Sequence, residues 1–223
     1  MVATKETSSP YCLFFLHGML CDANDWQLQL DYFSKQHQVI ACDIPGHGSL
    51  LDKSHDVSFD VVSLANYFAK IINSLEISKK IVLIAHSASS RIAIELSFLL
   101  KDRVGGLILL DMDYQNSQSY NFSQMKKDQQ AIVGMGYQSW LDSFFDIKLG
   151  STTPAWLRDQ VMKKAFKSEE GIGIEFYLNI KSYDYYSLKK SLYQLNSPLF
   201  ILQSSFYSEG KRQEVTDDNT PAS

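Results

Sequence analysis

Short apolar runs that alternate with helix-like segments constrain this chain more than any other feature. The runs are Tyr11–Leu16, Gln38–Cys42, 80–85 and Val104–Leu110, and the first ends directly on His17-Gly18. A run of that length, apolar nearly throughout and bounded by turn residues, reads as a strand buried on both faces. Between the runs the period changes. Residues 25–33 carry Trp26, Leu28, Leu30 and Phe33, and residues 61–75 repeat Val61, Leu64, Ala65, Phe68, Ile71, Ile72 and Leu75 at helical spacing. Ser89–Leu100 is a largely apolar helix. Strand, helix, strand at these lengths implies right-handed crossovers and a mostly parallel sheet with helices on both faces, which is the α/β class.

After residue 116 the pattern differs. Residues 117–196 show helical spacing without strands, and are expected to form a helical cap over the sheet. Ser197-Pro198 then opens a fifth strand at 199–203, followed by a polar segment, 204–223, without periodicity. The expected division is therefore 1–116 for the first part of the core, 117–196 for the cap, and 197–223 for a last strand and polar tail.

The formal net charge of −4, with Lys and Arg scattered, provides no basic surface for nucleic acid. No stretch reaches the roughly 18 apolar residues of a membrane span. The cysteines are Cys12, Cys21 and Cys42, an odd number without metal-ligand spacing, so neither a disulfide framework nor a metal site is expected. Together these point to a cytoplasmic protein; the oligomeric state is left open. Cys12 and Cys42 sit in apolar strands, whereas Cys21 follows a turn and could face a pocket.

The segment with chemical content is Ala85-His-Ser-Ala-Ser89, which joins a strand directly to a helix. A serine on so tight a turn needs small residues two before and two after it. It is held in a strained backbone with Oγ exposed above the sheet, beside a helix N-terminus that favours negative charge. The pentapeptide alone is also compatible with an incidental turn serine or a helix cap.

Its context narrows the choice. Phe14-Phe-Leu-His-Gly18, Asp25-Trp26, Asp43-Ile-Pro-Gly-His-Gly48, Ala85-His-Ser-Ala-Ser89 and Val104-Gly-Gly-Leu-Ile-Leu-Leu-Asp111 occur in order. In that ordered set the chain resembles the α/β-hydrolase family, particularly its serine esterases and lipases. The resemblance implies an α/β-hydrolase fold, Ser87 as nucleophile, and the backbone N–H groups of Met19 and Ala88 as the oxyanion hole. His17 and Gly18 form the turn after a strand, and His86 is the residue before the serine, with its side chain turned away. The acid is expected one strand earlier than in most members, at Asp111, with Asp113 second and Glu209 third. No cofactor is implied, and the substrate expected is a small apolar or aromatic ester-type molecule bound under the aromatics of 117–196. Two other readings follow from the same likeness: a relative of the cofactor-free dioxygenases that cleave quinolone rings or another lyase of the same fold, and a non-catalytic protein that binds in the old pocket.

One departure from the family pattern stands out. The five histidines are His17, His37, His47, His55 and His86, and none follows residue 86, where the family carries its catalytic base. A serine hydroxyl is a poor nucleophile without an adjacent base. The expectation is a chain truncated before that segment, with the strand at 199–203 left as a bare edge.

Overall fold

The unbroken apolar run at Tyr11–Leu16 becomes strand β2, inside the sheet with a neighbour on each side. The structure, a computed structural model, describes all residues except 6, 54–56, 113–120, 151 and 204–223. Six described strands form one sheet in the order β1-β3-β2-β4-β5-β6. The others are β1 (Val2–Ala3), β3 (Gln38–Cys42), β4 (Lys80–His86), β5 (Val104–Leu110) and β6 (Leu199–Leu202). All neighbours pair in parallel except β1, which lies antiparallel on β3. The polar N-terminal segment gave no period-2 signal for β1. It is held by two backbone pairings and by Thr4, whose N–H donates to Val39 O at 3.0 Å.

Alternation along β2 divides the core. Cys12, Phe14 and Leu16 enter the larger apolar cluster, while Leu13 and Phe15 enter the smaller one. The larger cluster is covered by helices α2 (Val61–Ser74) and α3 (Ser89–Leu100). Asp60 caps α2 by accepting from the Ser63 N–H at 2.9 Å, and Phe68 meets Phe14 edge to face at 6.1 Å. The smaller cluster is covered by α1 (Gln27–Phe33) and by the turn before it, through Leu30 and Trp26.

Between β5 and β6 lie α4 (Phe122–Met135), α5 (Tyr137–Leu149), α6 (Ala155–Ala165), α7 (Glu170–Tyr183) and α8 (Lys189–Gln194). A single π turn, Asp184–Leu188, joins α7 to α8. Phe176 of α7 is fully buried against Phe59 and the ring of His47. β6 is the edge of the described sheet, and its Phe200, Ile201 and Leu202 are all exposed. No described helix is long and apolar enough to cross a membrane.

The strand order matters for function. From β2 the chain steps to β3 on one side and returns to β4 on the other, so loops diverge above the carboxyl end of β2. In open parallel sheets that divergence leaves a crevice where ligands bind.

Candidate active site

The register across β2, β4 and β5 gathers the turns that the sequence singles out. Leu16 pairs with Ala85, and His86 pairs with Leu110. His17-Gly18, His86-Ser87 and Asp111 therefore emerge together at the carboxyl end of the sheet, where they line a cavity of about 530 Å³.

Ser87 sits on the sharp turn from β4 into α3 with φ +54°, a conformation that a residue with a Cβ adopts only when its surroundings hold it there. Its N–H donates to Leu110 O at 2.7 Å, and its carbonyl accepts from Ser90 N and from Arg91 Nη1, both within 3.2 Å. Ser89 fits the small position of the elbow and adds a bond, since its hydroxyl donates to His17 O and ties α3 to the end of β2. The steric requirement also explains Gly18. A Cβ there would lie 2.8 Å from His86 Nδ1 and 3.6 Å from Ser87 Cβ.

Met19 and Ala88 are both buried, Met19 on the cavity wall and Ala88 at the start of α3. Among the described residues no acceptor takes either backbone N–H. Asp111 also adopts positive φ, +48°, and its N–H donates to Leu202 O at 2.8 Å. It faces the cavity. Asp113 and Glu209, the other candidate acids, fall outside the described residues.

The Asp43-Ile-Pro-Gly-His-Gly48 loop serves as a brace. Asp43 accepts from Ala23 N at 2.7 Å, Ser49 N at 2.9 Å and Ser49 Oγ at 2.6 Å. Burial alone would raise its pKa, but these bonds outweigh burial and hold the carboxyl below its ordinary value. Gly48, at φ +53°, gives the carboxylate its space, because a Cβ there would fall 2.5 Å from Oδ1. Gly48→Ala is expected to cost about 1–3 kcal/mol through crowding. A denaturant midpoint equal to that of the parent would show the loop free to move aside.

The histidines separate clearly. His17 is fully engaged: Nδ1 bonds Gly18 O at 2.8 Å and Nε2 accepts from Ile44 N at 2.9 Å. His47 bonds Pro45 O through Nδ1 at 3.0 Å, and its Nε2 is buried without a partner. Burial lowers the pKa of both, that of His47 to about 3. His37 bonds Ser9 Oγ at 2.7 Å, and His55 lies outside the described residues. His86 differs from its expected orientation. Its ring does not turn away but forms part of the cavity wall, against Gly18 and beside Ser87. The reason is local: Gly18 leaves room for the ring.

Cys21 does line the cavity, but burial pushes its thiol pKa well up, as it does for Cys12 (about 11) and Cys42 (about 12). A thiol so raised is a poor nucleophile. Of the aromatics of 117–196 that are described, Phe144 and Phe145 reach the cavity. Trp140 instead packs on Tyr137, Phe144 and Tyr177; Trp156 and Tyr186 are exposed.

Two polar ties were not foreseen. Lys164 of α6 bonds Asp22 at 2.9 Å and also Asp25, bracing the cavity wall. Arg91 forms a two-point ion pair with Asp184, Nε–Oδ1 2.7 Å and Nη2–Oδ2 2.8 Å, both side chains nearly inaccessible. The available signal was Arg91 and Glu95, the two charged residues of a largely apolar α3. Charged groups in such a helix require partners.

Comparison with known proteins agrees with this architecture. Residues 13–186 match the model of the alpha/beta hydrolase family. A putative esterase/lipase of Haemophilus influenzae is 27% identical over 108 residues, covering 48% of this chain and 36% of the relative. The curated relatives are matched over only 36 to 57% of their own lengths. Among solved structures, an esterase from Exiguobacterium antarcticum superposes with a TM-score of 0.78 at 15% identity, covering 98% of this chain and 82% of that one. A protein that cleaves the ring of the Pseudomonas quinolone signal superposes at 0.75 and 18%, covering 97% and 82%. These two likenesses concern the fold. With three quarters of its length inside the family match, this chain belongs to the alpha/beta hydrolase family.

Proposed function

We propose that the chain hydrolyses small esters or related carbonyl compounds by acyl transfer through Ser87. The observation that carries this reading is the strained Ser87 turn, fixed by the Leu110 and Arg91 bonds at the floor of a cavity. Strain of that kind is retained where the surroundings over-determine it, and it orients Oγ toward a bound carbonyl. The N–H groups of Met19 and Ala88 would receive the developing oxyanion, each donor supplying roughly 2.7–4 kcal/mol in comparable sites. Asp111 supplies the carboxylate.

Residues 117–196 act as the cap in this reading. They contribute Phe144, Phe145, Leu149, Leu157 and Val161 to the wall, an apolar lining suited to an acyl chain or a ring. The esterase names among the relatives support the same reaction class.

A fluorophosphonate probe tests the proposal. The folded protein should be labelled on Ser87, and Ser87→Ala should abolish labelling and lower ester turnover by at least about 10³-fold. Folded protein that resists the probe would favour a non-catalytic binding role instead.

A further inference from the structure

Two polar ties join α3 to the helices that follow β5, and one of them continues to the serine. Arg91 and Glu95 stand four residues apart on α3, so they share a helix face. Glu95 accepts from the hydroxyls of Tyr183 on α7 and Ser191 on α8. Arg91 instead meets Asp184, where the π turn between α7 and α8 begins. Its Nε and Nη2 take the two carboxylate oxygens at 2.7 and 2.8 Å, and its Nη1 donates to Ser87 O at 3.2 Å. A guanidinium is planar with its donors in a fixed fork, so seating one edge on a carboxylate sets where the remaining nitrogen points. Both side chains are nearly inaccessible, so water does not compete for the fork.

Arg91 holds more than a carbonyl. Ser87 O and the Ala88 N–H belong to one planar trans peptide and point in opposite directions. Anchoring the oxygen therefore aims the N–H, which points away from Arg91, and Ser90 N adds a second anchor at 3.1 Å. A cationic donor on the oxygen also polarises the peptide and strengthens its N–H as a donor.

We propose that Asp184, acting through Arg91, is a positioning residue for the oxyanion donor at Ala88, an inference that rests on the acyl-transfer reading above. The carboxylate seats the guanidinium, the guanidinium fixes the Ser87–Ala88 peptide, and the Ala88 N–H donates to the oxyanion. Asp184 is not among the residues that line the cavity. Its contribution belongs to the transition state, where charge develops on the substrate oxygen, and not to ground-state binding. The Glu95 tie joins the same elements through bonds that end on α7 and α8, and so provides the control.

The test is saturable fluorophosphonate labelling of the full chain, together with the amide resonance of Ala88, whose nitrogen senses what its peptide oxygen accepts. Asp184→Asn sets an amide donor against the guanidinium and unseats the fork. It should lower the maximal labelling rate by about 10–10²-fold, leave the half-saturating probe concentration unchanged, and move the Ala88 resonance. Tyr183→Phe should lower the denaturant midpoint but keep the parent's rate and resonance. Where Asp184→Asn does not fold by circular dichroism, Arg91→Lys keeps a cation beside Asp184 without the fork, and the same losses are expected. A folded variant that labels at the parent's maximal rate overturns the proposal, whether or not its half-saturating concentration rises. So does a Tyr183→Phe protein slowed as much as Asp184→Asn. A folded parent that is not labelled overturns the acyl-transfer reading, and the resonance then decides the positioning role. Moved in Asp184→Asn but not in Tyr183→Phe, it upholds the path through Arg91; unmoved, it overturns it.

Discussion

Arg91→Met should destabilise the protein by about 3–5 kcal/mol, read as a lower denaturant midpoint with an unchanged slope. The side chains of Arg91 and Asp184 are 3% and 5% exposed, so removing the guanidinium strands a carboxylate where water cannot reach it. The loss comes mainly from that unpaired charge rather than from the worth of the pair. For the same reason Arg91→Met combined with Asp184→Leu should recover most of the stability, since two apolar side chains replace two paired ions. The double variant separates the pair's two contributions. Its fold should survive, but the bond from Arg91 Nη1 to Ser87 O is gone, so serine labelling should remain slower than in the parent. An Arg91→Met midpoint within about 1 kcal/mol of the parent would mean that the pair is not buried in solution.

Acid should weaken the fold well above the carboxylate range. His17 and His47 are both buried, and burial holds the pKa of each below the unfolded value of about 6.5, that of His47 at about 3. The opposing attractions from Asp43, and for His17 also from Asp22 and Asp25, do not reverse the shift. Below pH 6.5 the unfolded chain therefore binds protons that the folded chain refuses. Their contribution is complete above the unfolded pKa and declines as pH falls toward the folded one. His47, with its folded pKa far below that range, contributes a slope of about 1.4 kcal/mol per pH unit, or about 2 kcal/mol by pH 5, and His17 acts in the same direction. Asp43 acts in the same direction at still lower pH. Its folded pKa is depressed, so its contribution is present above its unfolded value and fades as pH falls through the folded one. Urea unfolding at pH 7.5 and 5.0 measures the slope, and His47→Gln should lower the stability lost between them by about 2 kcal/mol. Equal stability at the two pH values would show that both rings take up protons in the folded protein.

Much of the architecture was legible because it depends on short-range periodicity. The runs at Tyr11–Leu16, Gln38–Cys42 and Val104–Leu110 became strands with those bounds, since a strand buried on both faces admits little but apolar residues. The predicted 61–75 helix appears as Val61–Ser74. The elbow at Ala85-His-Ser-Ala-Ser89 was legible for a related reason, that only small residues permit so sharp a turn. β1 was not legible: two residues paired to a neighbour leave no pattern of their own.

What the sequence determined by itself was the α/β class, the position of Ser87 on its turn, and a set of five histidines of which none follows residue 86. Only the tertiary structure decided which of those histidines reach the cavity that Ser87 lines. Ile44 N and Gly18 O occupy the ring nitrogens of His17, and Pro45 O holds Nδ1 of His47 while its Nε2 is enclosed. His86 turns into the cavity because Gly18 of a distant strand end leaves space for its ring. Arg91 finds Asp184 across 93 residues of chain for a comparable reason. Periodicity assigns a residue to a face, but strand order and register choose what lies opposite it, and a side chain's chemistry follows from that neighbour.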